Sequence, residues 1–400
     1  MGDGFMVRKG KSEAAVGRPT VAEIDLGALE HNYRRIEKRI PKGARILGVV
    51  KADAYGHGAV RVSRKLEALG VAYLGVALAD EGIELRQGGL KAPILVLGGI
   101  FPGESEKVLR FDLTPVVFQK ESLEELSHVA TRRGQKAKVH LKVDTGMNRL
   151  GVSLNAWSDF LRRVKRCSGI EVEGILSHFA MIDEEGGTYS HRQWKAFQEA
   201  LSLAREKGVS YRYAHIANSG NLAAFPSYSA DLVRPGIMLY GCYPSAVHEP
   251  CLRLKPVMTW KTRIHFLKSV PPGARVSYGG TFVTERESRI AVLPVGYADG
   301  FRWGLSNRGE VLVGGRRASV VGRVCMDYTL VDVTDVPGVR VGDEVVLIGK
   351  QGRERIRAEE VAEKAGTIPY EILCAVGKRV PRVYLDVTGV DRSREFLRKE

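Results

Sequence analysis

The 400-residue chain has two different patterns of hydrophobic and polar residues, one in its first two-thirds and one in the rest. In the first two-thirds, short unbroken apolar runs alternate with stretches that have helical periodicity. Unbroken apolar runs are typical of strands that are buried on both faces of a parallel sheet. Eight such units over about 200 residues predict a closed (β/α)8 TIM-type barrel, with a doubly wound open sheet as the alternative. The predicted strands are RILGVV (45–50), AYLGVA (72–77), PILVLG (93–98), LTPVVF (113–118), KVHLKV (138–143), VEGILS (172–177), YAHIA (213–217) and DLVR (231–234), and predicted helices include 60–69, 121–133 and 192–207.

From about residue 256 the pattern changes to short β-branched runs that are separated by turn signals such as PPG, GG and VGD. This pattern predicts a mostly antiparallel β domain, interrupted by one helix at 358–366. The N-terminal segment has no apolar region of the secretory type and is expected to be a flexible tail. The predicted organisation is a tail over 1–17, a barrel over 18–250 and a β domain over 251–400.

Composition and charge exclude several classes of protein. The chain is 44% hydrophobic and 27% charged, and no apolar run reaches the length of about 18 residues that a membrane span needs. Five scattered cysteines without a CxxC motif predict reduced thiols, a cytoplasmic location and no metal site. The net charge of +15 comes from basic residues that are interleaved with acids on helices, so no nucleic-acid partner is expected. An anionic small ligand accounts for the positive charge equally well.

Polar residues follow the C-terminal ends of several predicted strands, which is where barrels carry their chemistry. The sequence VVKADAYGHG (49–58) ends the first strand and places Lys51 at its tip, beside a glycine-rich turn. A partly desolvated lysine loses its proton more readily and can form a Schiff base, whereas a solvated lysine at the rim would be structural. Other candidates at this rim are Tyr55, Lys142, Arg149, His178, Ser219 and Arg234.

The last two predicted strand ends have the composition of a phosphate site. IANSG (216–220) supplies a hydroxyl group and a glycine at a predicted helix N-terminus, where backbone N–H groups are unpaired. RPGI (234–237) supplies a glycine whose backbone can approach a ligand closely. A phosphate site with a strand-tip lysine indicates pyridoxal phosphate. A sugar-phosphate aldolase also uses a Schiff-base lysine, but it needs no second all-β unit.

These residues resemble the alanine racemase family, bacterial enzymes that combine a barrel with a β domain. The resemblance covers roughly residues 18–385 and implies pyridoxal 5'-phosphate as cofactor, alanine as small-molecule substrate and a homodimer with shared active sites. It also implies two-base racemisation through an external aldimine, which supplies D-alanine for peptidoglycan. The matching motifs are VVKADAYGHG (49–58), HLKVDTGMNRLG (140–151), LSHFA (176–180), HIANS (215–219), RPGIMLYG (234–241), VSYGGTF (276–282), PVGYADG (294–300), GRVCMDY (322–328) and IPYEILC (368–374).

The resemblance also implies a role for each matching residue. Lys51 holds the cofactor and is the base on one face of the substrate, and Tyr278 from the second subunit is the base on the opposite face. His178 and Arg234 form the basic neighbourhood of that tyrosine, and Arg234 meets the pyridine nitrogen. Lys142 matches a lysine that is often carbamylated. The implied cofactor ligands are Tyr55, Ser219, Gly236, Ile237 and Tyr370, and the implied substrate-site residues are Arg149, Met326 through its backbone and Tyr297 at the entrance.

Three other functions fit part of this pattern. A racemase of another small amino acid, such as serine, would share the motifs, although membrane-linked serine racemases carry spans that this sequence does not show. A non-catalytic pyridoxal-phosphate carrier would need only the barrel, and Tyr278 and Met326 argue against it. A decarboxylase on a related barrel would keep the lysine and the phosphate loops but would need a different site in the β domain.

Overall fold

The computed structural model describes residues 17–181, 187–244, 252–386 and 389–390. Of the predicted tail, residues 1–16 lie outside the described residues, and so does the predicted domain boundary near residue 250. The first part of the described chain comprises β1 (Val21–Asp25), α1 (Leu26–Glu37), β2 (Arg45–Val49), α2 (Lys51–Gly56), α3 (Ala59–Ala68), β3 (Tyr73–Val76), α4 (Ala79–Gln87), β4 (Ile94–Val96), α5 (Ser105–Arg110), β5 (Thr114–Val117), α6 (Lys120–Arg132), β6 (Ala137–Asp144), β7 (Val152–Ser153), α7 (Leu154–Arg166), β8 (Ile170–Leu176), α8 (Thr188–Glu206), β9 (Tyr213–His215), α9 (Ser219–Ala224) and β10 (Leu232–Val233).

Eight of these strands form a parallel barrel, which confirms the predicted fold class. The strand order is β10-β2-β3-β4-β5-β6-β8-β9, and every neighbouring pair is parallel. The two ends meet where a parallel bridge joins Asn218 and Arg234, just beyond β9 and β10. Strands such as β3 and β5 are buried at every position, as their unbroken apolar runs predicted. The barrel therefore brings all eight strand ends to one rim.

The second part of the chain is mostly antiparallel sheet, as predicted. Its main sheet has the order β17-β16-β19-β11-β1-β21-β22, with β20 paired to β19, and a three-stranded and a two-stranded sheet accompany it. Short helices at its end include one that sequence reasoning missed, Pro369–Ala375. The elements are β11 (Met258–Arg263), β12 (Phe266–Val270), β13 (Arg275–Val276), β14 (Phe282–Val283), β15 (Ser288–Leu293), β16 (Glu310–Val313), β17 (Arg316–Ser319), β18 (Thr329–Asp332), β19 (Glu344–Gln351), β20 (Glu354–Ile356), α10 (Ala358–Ala365), α11 (Pro369–Ala375), β21 (Arg382–Asp386) and β22 (Gly389–Val390).

Strand β1 belongs to this second sheet, although the predicted boundaries count it with the barrel. It pairs antiparallel with β11 and parallel with β21. Asp25 then caps α1 by accepting the backbone N–H of Ala28 at 2.8 Å, and the chain enters the barrel. The second sheet therefore contains the strand that precedes the barrel in the chain, β1, and the strand that follows it, β11. No helix within the described ranges is long and apolar enough to cross a membrane.

Candidate active site

Lys51 stands at the barrel rim, at the start of a turn with unusual backbone geometry. The four residues Ala52 to Tyr55 have φ angles of 52–54°, in the left-handed region. That region costs L-amino acids about 1–2 kcal/mol per residue, so surrounding contacts must hold the turn. Glu81 accepts the backbone N–H of Ala52 at 2.7 Å, and the Asp53 carboxylate accepts that of Ala59 at 2.7 Å. The turn fixes where the lysine and Tyr55 point.

The second unit packs directly on this turn, which explains two of its glycines. A Cβ atom at Gly56 would lie 2.3 Å from the carbonyl oxygen of Leu373, and one at Gly58 would lie 1.7 Å from the hydroxyl oxygen of Tyr384. Arg382 in β21 donates to the carbonyl of Gly56 from Nε at 3.0 Å and from Nη2 at 2.8 Å. The β domain is therefore part of the support of the lysine.

The environment of Lys51 favours a neutral amine. Burial lowers the pKa of Lys51, and the positive charge of Arg149 lowers it further, while the carboxylate of Glu81 opposes the shift. A lysine with a lowered pKa has a larger fraction of its nucleophilic form near neutral pH. The structure thus gives Lys51 the property that a Schiff-base lysine requires.

Arg234 is buried at the same barrel rim as Lys51 and donates hydrogen bonds to four acceptors. Its Nη1 donates to Nδ1 of His215 at 2.9 Å, and its Nη2 donates to the carbonyls of Ser177 at 2.7 Å and Ile216 at 2.9 Å and to Nδ1 of His178 at 3.1 Å. Burial and the charge of Arg234 lower the pKa of His178 well below its usual value, so this ring is neutral. Within the described chain, Nε of Arg234 has no hydrogen-bond partner and is the nitrogen left for a ligand.

The predicted phosphate ligands lie together beside this arginine. Ser219 is the first residue of α9, and its hydroxyl oxygen accepts the backbone N–H of Gly236 at 2.9 Å. A Cβ atom at Gly236 would lie 2.3 Å from the hydroxyl oxygen of Tyr55. The ring centre of Tyr55 is 4.8 Å from that of Tyr240 and 6.1 Å from that of Tyr370. The buried Ile237 completes a set that also contains Tyr55, Ser219, Gly236 and Tyr370.

Replacing Gly236 by alanine is expected to weaken the binding of pyridoxal phosphate, the predicted ligand. The new methyl group would displace the hydroxyl of Tyr55, which is packed between two other tyrosine rings. Overpacking of this kind costs roughly 1–3 kcal/mol, or about 5- to 150-fold in affinity. The measurement is a spectroscopic titration of the stripped protein with pyridoxal phosphate. Gly377→Ala is the control, because the nearest neighbour of its Cβ would be 3.7 Å away; equal affinities would contradict the prediction.

Lys142 and Arg149 lie at the end of β6 and in the loop that follows it. Lys142 is buried, and burial together with the charges of Arg234 and Arg149 lowers its pKa to about 8. The loop is ordered by Asp144, whose carboxylate accepts three successive backbone N–H groups at 2.9–3.1 Å. Arg149 itself is exposed. The loop therefore presents a guanidinium group to the open side of the rim.

The three predicted residues of the β domain form a separate, exposed cluster. Tyr278 is 70% exposed, Met326 53% and Tyr297 44%. Hydrogen bonds join the three segments that carry them, because the N–H of Tyr297 donates to the carbonyl of Cys325 at 3.0 Å and the Ser277 hydroxyl donates to the carbonyl of Arg323 at 2.6 Å. No hydrogen bond found among the described residues connects this cluster with Lys51 or Arg234. A single chain thus leaves these side chains uncovered.

Several residues around the site were not predicted. Two of them, His140 and His215, lie inside recognised motifs. Only the row of hydrogen bonds that joins them to Arg234 distinguishes them from core histidines. His57 stacks on Tyr240 with ring centres 4.5 Å apart, and burial lowers its pKa to about 4. The sequence around Arg382 does not indicate its contact with Gly56, because the two residues are 326 positions apart in the chain.

Comparison with known proteins identifies the family. The family model for the alanine racemase N-terminal domain matches residues 24–244, and that for the C-terminal domain matches residues 257–384. An alanine racemase of Halothermothrix orenii is 47% identical over 374 residues, which cover 94% of this chain and 99% of that protein. A solved alanine racemase of Bacillus anthracis with bound L-Ala-P has a TM-score of 0.88 at 38% identity and covers 94% of this chain and 98% of its own.

A second solved structure carries pyridoxal phosphate. It is an alanine racemase of Bartonella henselae with covalently bound pyridoxal phosphate, with a TM-score of 0.84 and 30% identity over 92% of this chain and 100% of its own. The barrel rim, with its lysine of lowered pKa and its glycine-lined cradle, defines an enzyme built on a barrel with an accessory β domain. The chain belongs to the alanine racemase family. The family predicted from the motifs is therefore confirmed.

Proposed function

We propose that this chain interconverts L- and D-alanine with pyridoxal 5'-phosphate attached covalently to Lys51, and that it supplies D-alanine for peptidoglycan. The observation that carries the proposal is the meeting of a lysine of lowered pKa, a buried arginine and a hydroxyl-and-glycine cradle at one barrel rim. Membership of the alanine racemase family supports alanine as the substrate.

The residues present fit this cofactor. The lowered pKa of Lys51 favours the neutral amine that condenses with an aldehyde, and Gly236, which has no side chain, lets its backbone lie against Tyr55 and Ser219, whose hydroxyls would hold the phosphate. Arg234 would hold the pyridine nitrogen through Nε, since its Nη1 and Nη2 are used within the protein. When bound, pyridoxal phosphate acts as an electron sink that makes the α-proton of the amino acid acidic. A guanidinium donates a hydrogen bond without readily giving up its proton, so Arg234 leaves the ring nitrogen unprotonated and disfavours transamination.

Racemisation needs one base on each face of the α-carbon, because one group removes the proton and the other returns it. Lys51 serves on one face. Tyr278 serves on the other, from a second copy of the chain, since the exposed cluster of Tyr278, Tyr297 and Met326 needs a partner surface to cover it. The proposed enzyme is therefore a homodimer with shared sites. His178 accepts from Arg234 through Nδ1 and has its Nε2 3.3 Å from the side-chain amide of Asn218, and with Arg234 it forms the neighbourhood proposed to stabilise a tyrosinate.

The substrate carboxylate is bound by Arg149 and by the backbone of Met326 from the partner. Lys142 supports Arg149 as a carbamate, which forms when a neutral amine adds carbon dioxide and loses a proton. The lowered pKa of Lys142, about 8, favours this step, because about half of the amine is then neutral near pH 8. The carbamate also replaces a buried positive charge beside Arg234 with a negative one. Tyr297 lies at the entrance beside this site.

Lys142→Ala is expected to raise the KM for alanine about tenfold and to affect kcat less, because Arg149 loses the anion that orients it. Protein equilibrated with ¹³C-bicarbonate should give a carbamate carbon NMR signal that strengthens as the pH rises through about 8 and is missing in this variant. The matched control is Lys138→Ala, which removes an exposed lysine of the same strand. A carbamate signal that persists in Lys142→Ala would show that another amine carries it.

Covalent attachment tests the proposed cofactor directly. The cofactor-loaded protein is reduced with borohydride, digested and mapped by mass spectrometry. We expect a phosphopyridoxyl group on the peptide that contains Lys51 and on no other lysine. Modification spread over exposed lysines, with Lys51 unmodified, would refute the assignment.

A further inference from the structure

A row of buried polar side chains extends from Arg234 into the interior of the barrel. His215 and His140 are fully buried, and Glu173 is half-buried. Nη1 of Arg234 lies 2.9 Å from Nδ1 of His215, and Nε2 of His215 lies 2.8 Å from Nδ1 of His140. Nε2 of His140 faces the Glu173 carboxylate at 3.9 Å, and that carboxylate also accepts the hydroxyl of Tyr73. We call these four residues, His215, His140, Glu173 and Tyr73, the relay.

Arg234, which can only donate, is satisfied by one direction of the hydrogen bonds in the relay. A guanidinium has donors only, so Nδ1 of His215 must accept and the hydrogen of this neutral ring lies on Nε2. That hydrogen is donated to Nδ1 of His140, which places the hydrogen of His140 on its own Nε2. Burial and the charge of Arg234 lower the pKa of both histidines, and they remain neutral. Only one of the two tautomers of each ring satisfies all partners.

Glu173 lies at the far end of the relay from Arg234, where its carboxylate faces the N–H of His140. The neighbouring His140 and the hydrogen bond from Tyr73 lower the pKa of Glu173, whereas burial opposes the shift, so the carboxylate is charged near neutral pH. Burial and the neighbouring carboxylate raise the pKa of Tyr73, which keeps this hydroxyl a donor. At 3.9 Å the contact between Glu173 and His140 is electrostatic rather than a full hydrogen bond. Nε2 of His140 has no hydrogen-bond partner among the described residues, so the negative charge of Glu173 at 3.9 Å is what stabilises its N–H.

The backbone next to Glu173 is shaped to hold the imidazole of His140. Gly174 pairs with His140 across β6 and β8, and a Cβ atom at this glycine would lie 2.5 Å from Nδ1 of the ring. The ring meets that of His215 edge-on, with centres 5.0 Å apart, and that of Tyr73 in the same way at 5.4 Å. The imidazole is therefore fixed in place, and its tautomer is the remaining freedom.

We infer that Glu173 is a positioning residue for Arg234: its carboxylate selects the tautomers of His140 and His215 that give Arg234 its acceptor, and so keeps Nε directed at the ligand. A reversed relay would set an N–H of His215 against Nη1 of Arg234, and the guanidinium would have to turn away. The expected effect of Glu173 on turnover rests on the proposed function, in which Nε of Arg234 binds the pyridine nitrogen of the cofactor. The effect on tautomers does not depend on it.

The test is ¹⁵N NMR of histidine-labelled, cofactor-loaded protein, with the signals of His140 and His215 assigned from single substitutions. The unsubstituted chain should show both rings neutral, with hydrogen on Nε2. Glu173→Met keeps the volume but has no comparable acceptor, and it should give a mixture of tautomers at both rings. Its kcat should fall about tenfold with the KM for alanine within about twofold, because the buried N–H of His140 has lost the negative charge that faces it. Glu173→Ala is the second variant if methionine is not accommodated.

Two further variants make the result specific. Glu173→Gln keeps a carbonyl oxygen, whose partial negative charge still favours the N–H of His140, so the tautomers should be kept and kcat should stay within about threefold. Glu171→Met changes an exposed glutamate of the same strand and should alter neither the histidine tautomers nor kcat. Unchanged tautomers in Glu173→Met and Glu173→Ala would overturn the inference, as would an equal loss in Glu171→Met. If the unsubstituted chain failed to racemise alanine, the proposed function would fail, but the tautomer comparison would still decide the role of Glu173.

Discussion

Replacing Lys51 by alanine is expected to lower kcat for alanine racemisation by at least about 10⁴-fold. The substitution removes two functions at once, since the same amine attaches the cofactor and moves the proton on one face of the substrate. The lowered pKa of Lys51 and the strained turn that holds it are both consistent with such a role. The measurement is the rate of D-alanine formation from L-alanine, followed by chiral chromatography with saturating pyridoxal phosphate.

Lys42→Ala provides the control for this substitution. Lys42 is an exposed lysine shortly before β2, and its loss should leave the rate within about twofold. Circular dichroism of both variants should match that of the unsubstituted chain. Substantial racemisation by Lys51→Ala would place the essential amine elsewhere.

Tyr278→Phe is expected to separate the two halves of the reaction. Racemisation should fall by about 10²- to 10⁴-fold, because one of the two bases is lost. Lys51 remains, so one enantiomer should still exchange its α-proton with heavy water and keep its configuration, whereas the other should exchange slowly. Proton NMR of each enantiomer, incubated separately with the variant, measures this asymmetry. Equal exchange of both enantiomers would contradict a role for Tyr278 as the base of one face.

A neighbouring tyrosine and a mixing experiment control for this result. Tyr328→Phe removes the hydroxyl of another exposed tyrosine of the β domain and should leave the rate nearly unchanged. Mixing Lys51→Ala with Tyr278→Phe chains should restore about a quarter of the normal activity, since half of the dimers are mixed and each mixed dimer has one intact site of two. Failure to restore activity in proven mixed dimers would argue against a site shared between subunits.

The barrel could be predicted because its signal is local. Strands buried on both faces are apolar at every position, so the eight runs stood out, and each appears in the structure near its predicted place. The pairing of β1 with β11 and β21 could not be predicted in this way, because partners more than 200 residues apart leave no periodicity in the strand itself. Helix α11 was missed because it is short and starts at a proline, which the sequence presents as a break in the β pattern.

The candidate site could be predicted where chemistry coincided with a strand end. Lys51, Lys142 and Arg234 were recognisable because charged residues are costly at the buried edge of a barrel. The left-handed turn after Lys51 was not predictable, because Ala52, Ala54 and Tyr55 are of types that avoid this conformation. Contacts from Glu81, Asp53 and the β domain hold it. Glu173 in the relay escaped notice for a similar reason, since a glutamate on a strand usually faces solvent.

The most direct test of the proposed reaction follows the α-proton and the configuration of alanine together. The purified chain, loaded with pyridoxal phosphate, is incubated with L-alanine in heavy water, and proton NMR is combined with chiral analysis of the product. We predict that the α-proton signal disappears while D-alanine accumulates, until both enantiomers are equally abundant. A retained α-proton and unchanged L-alanine, despite cofactor bound at Lys51, would contradict alanine racemisation by this site.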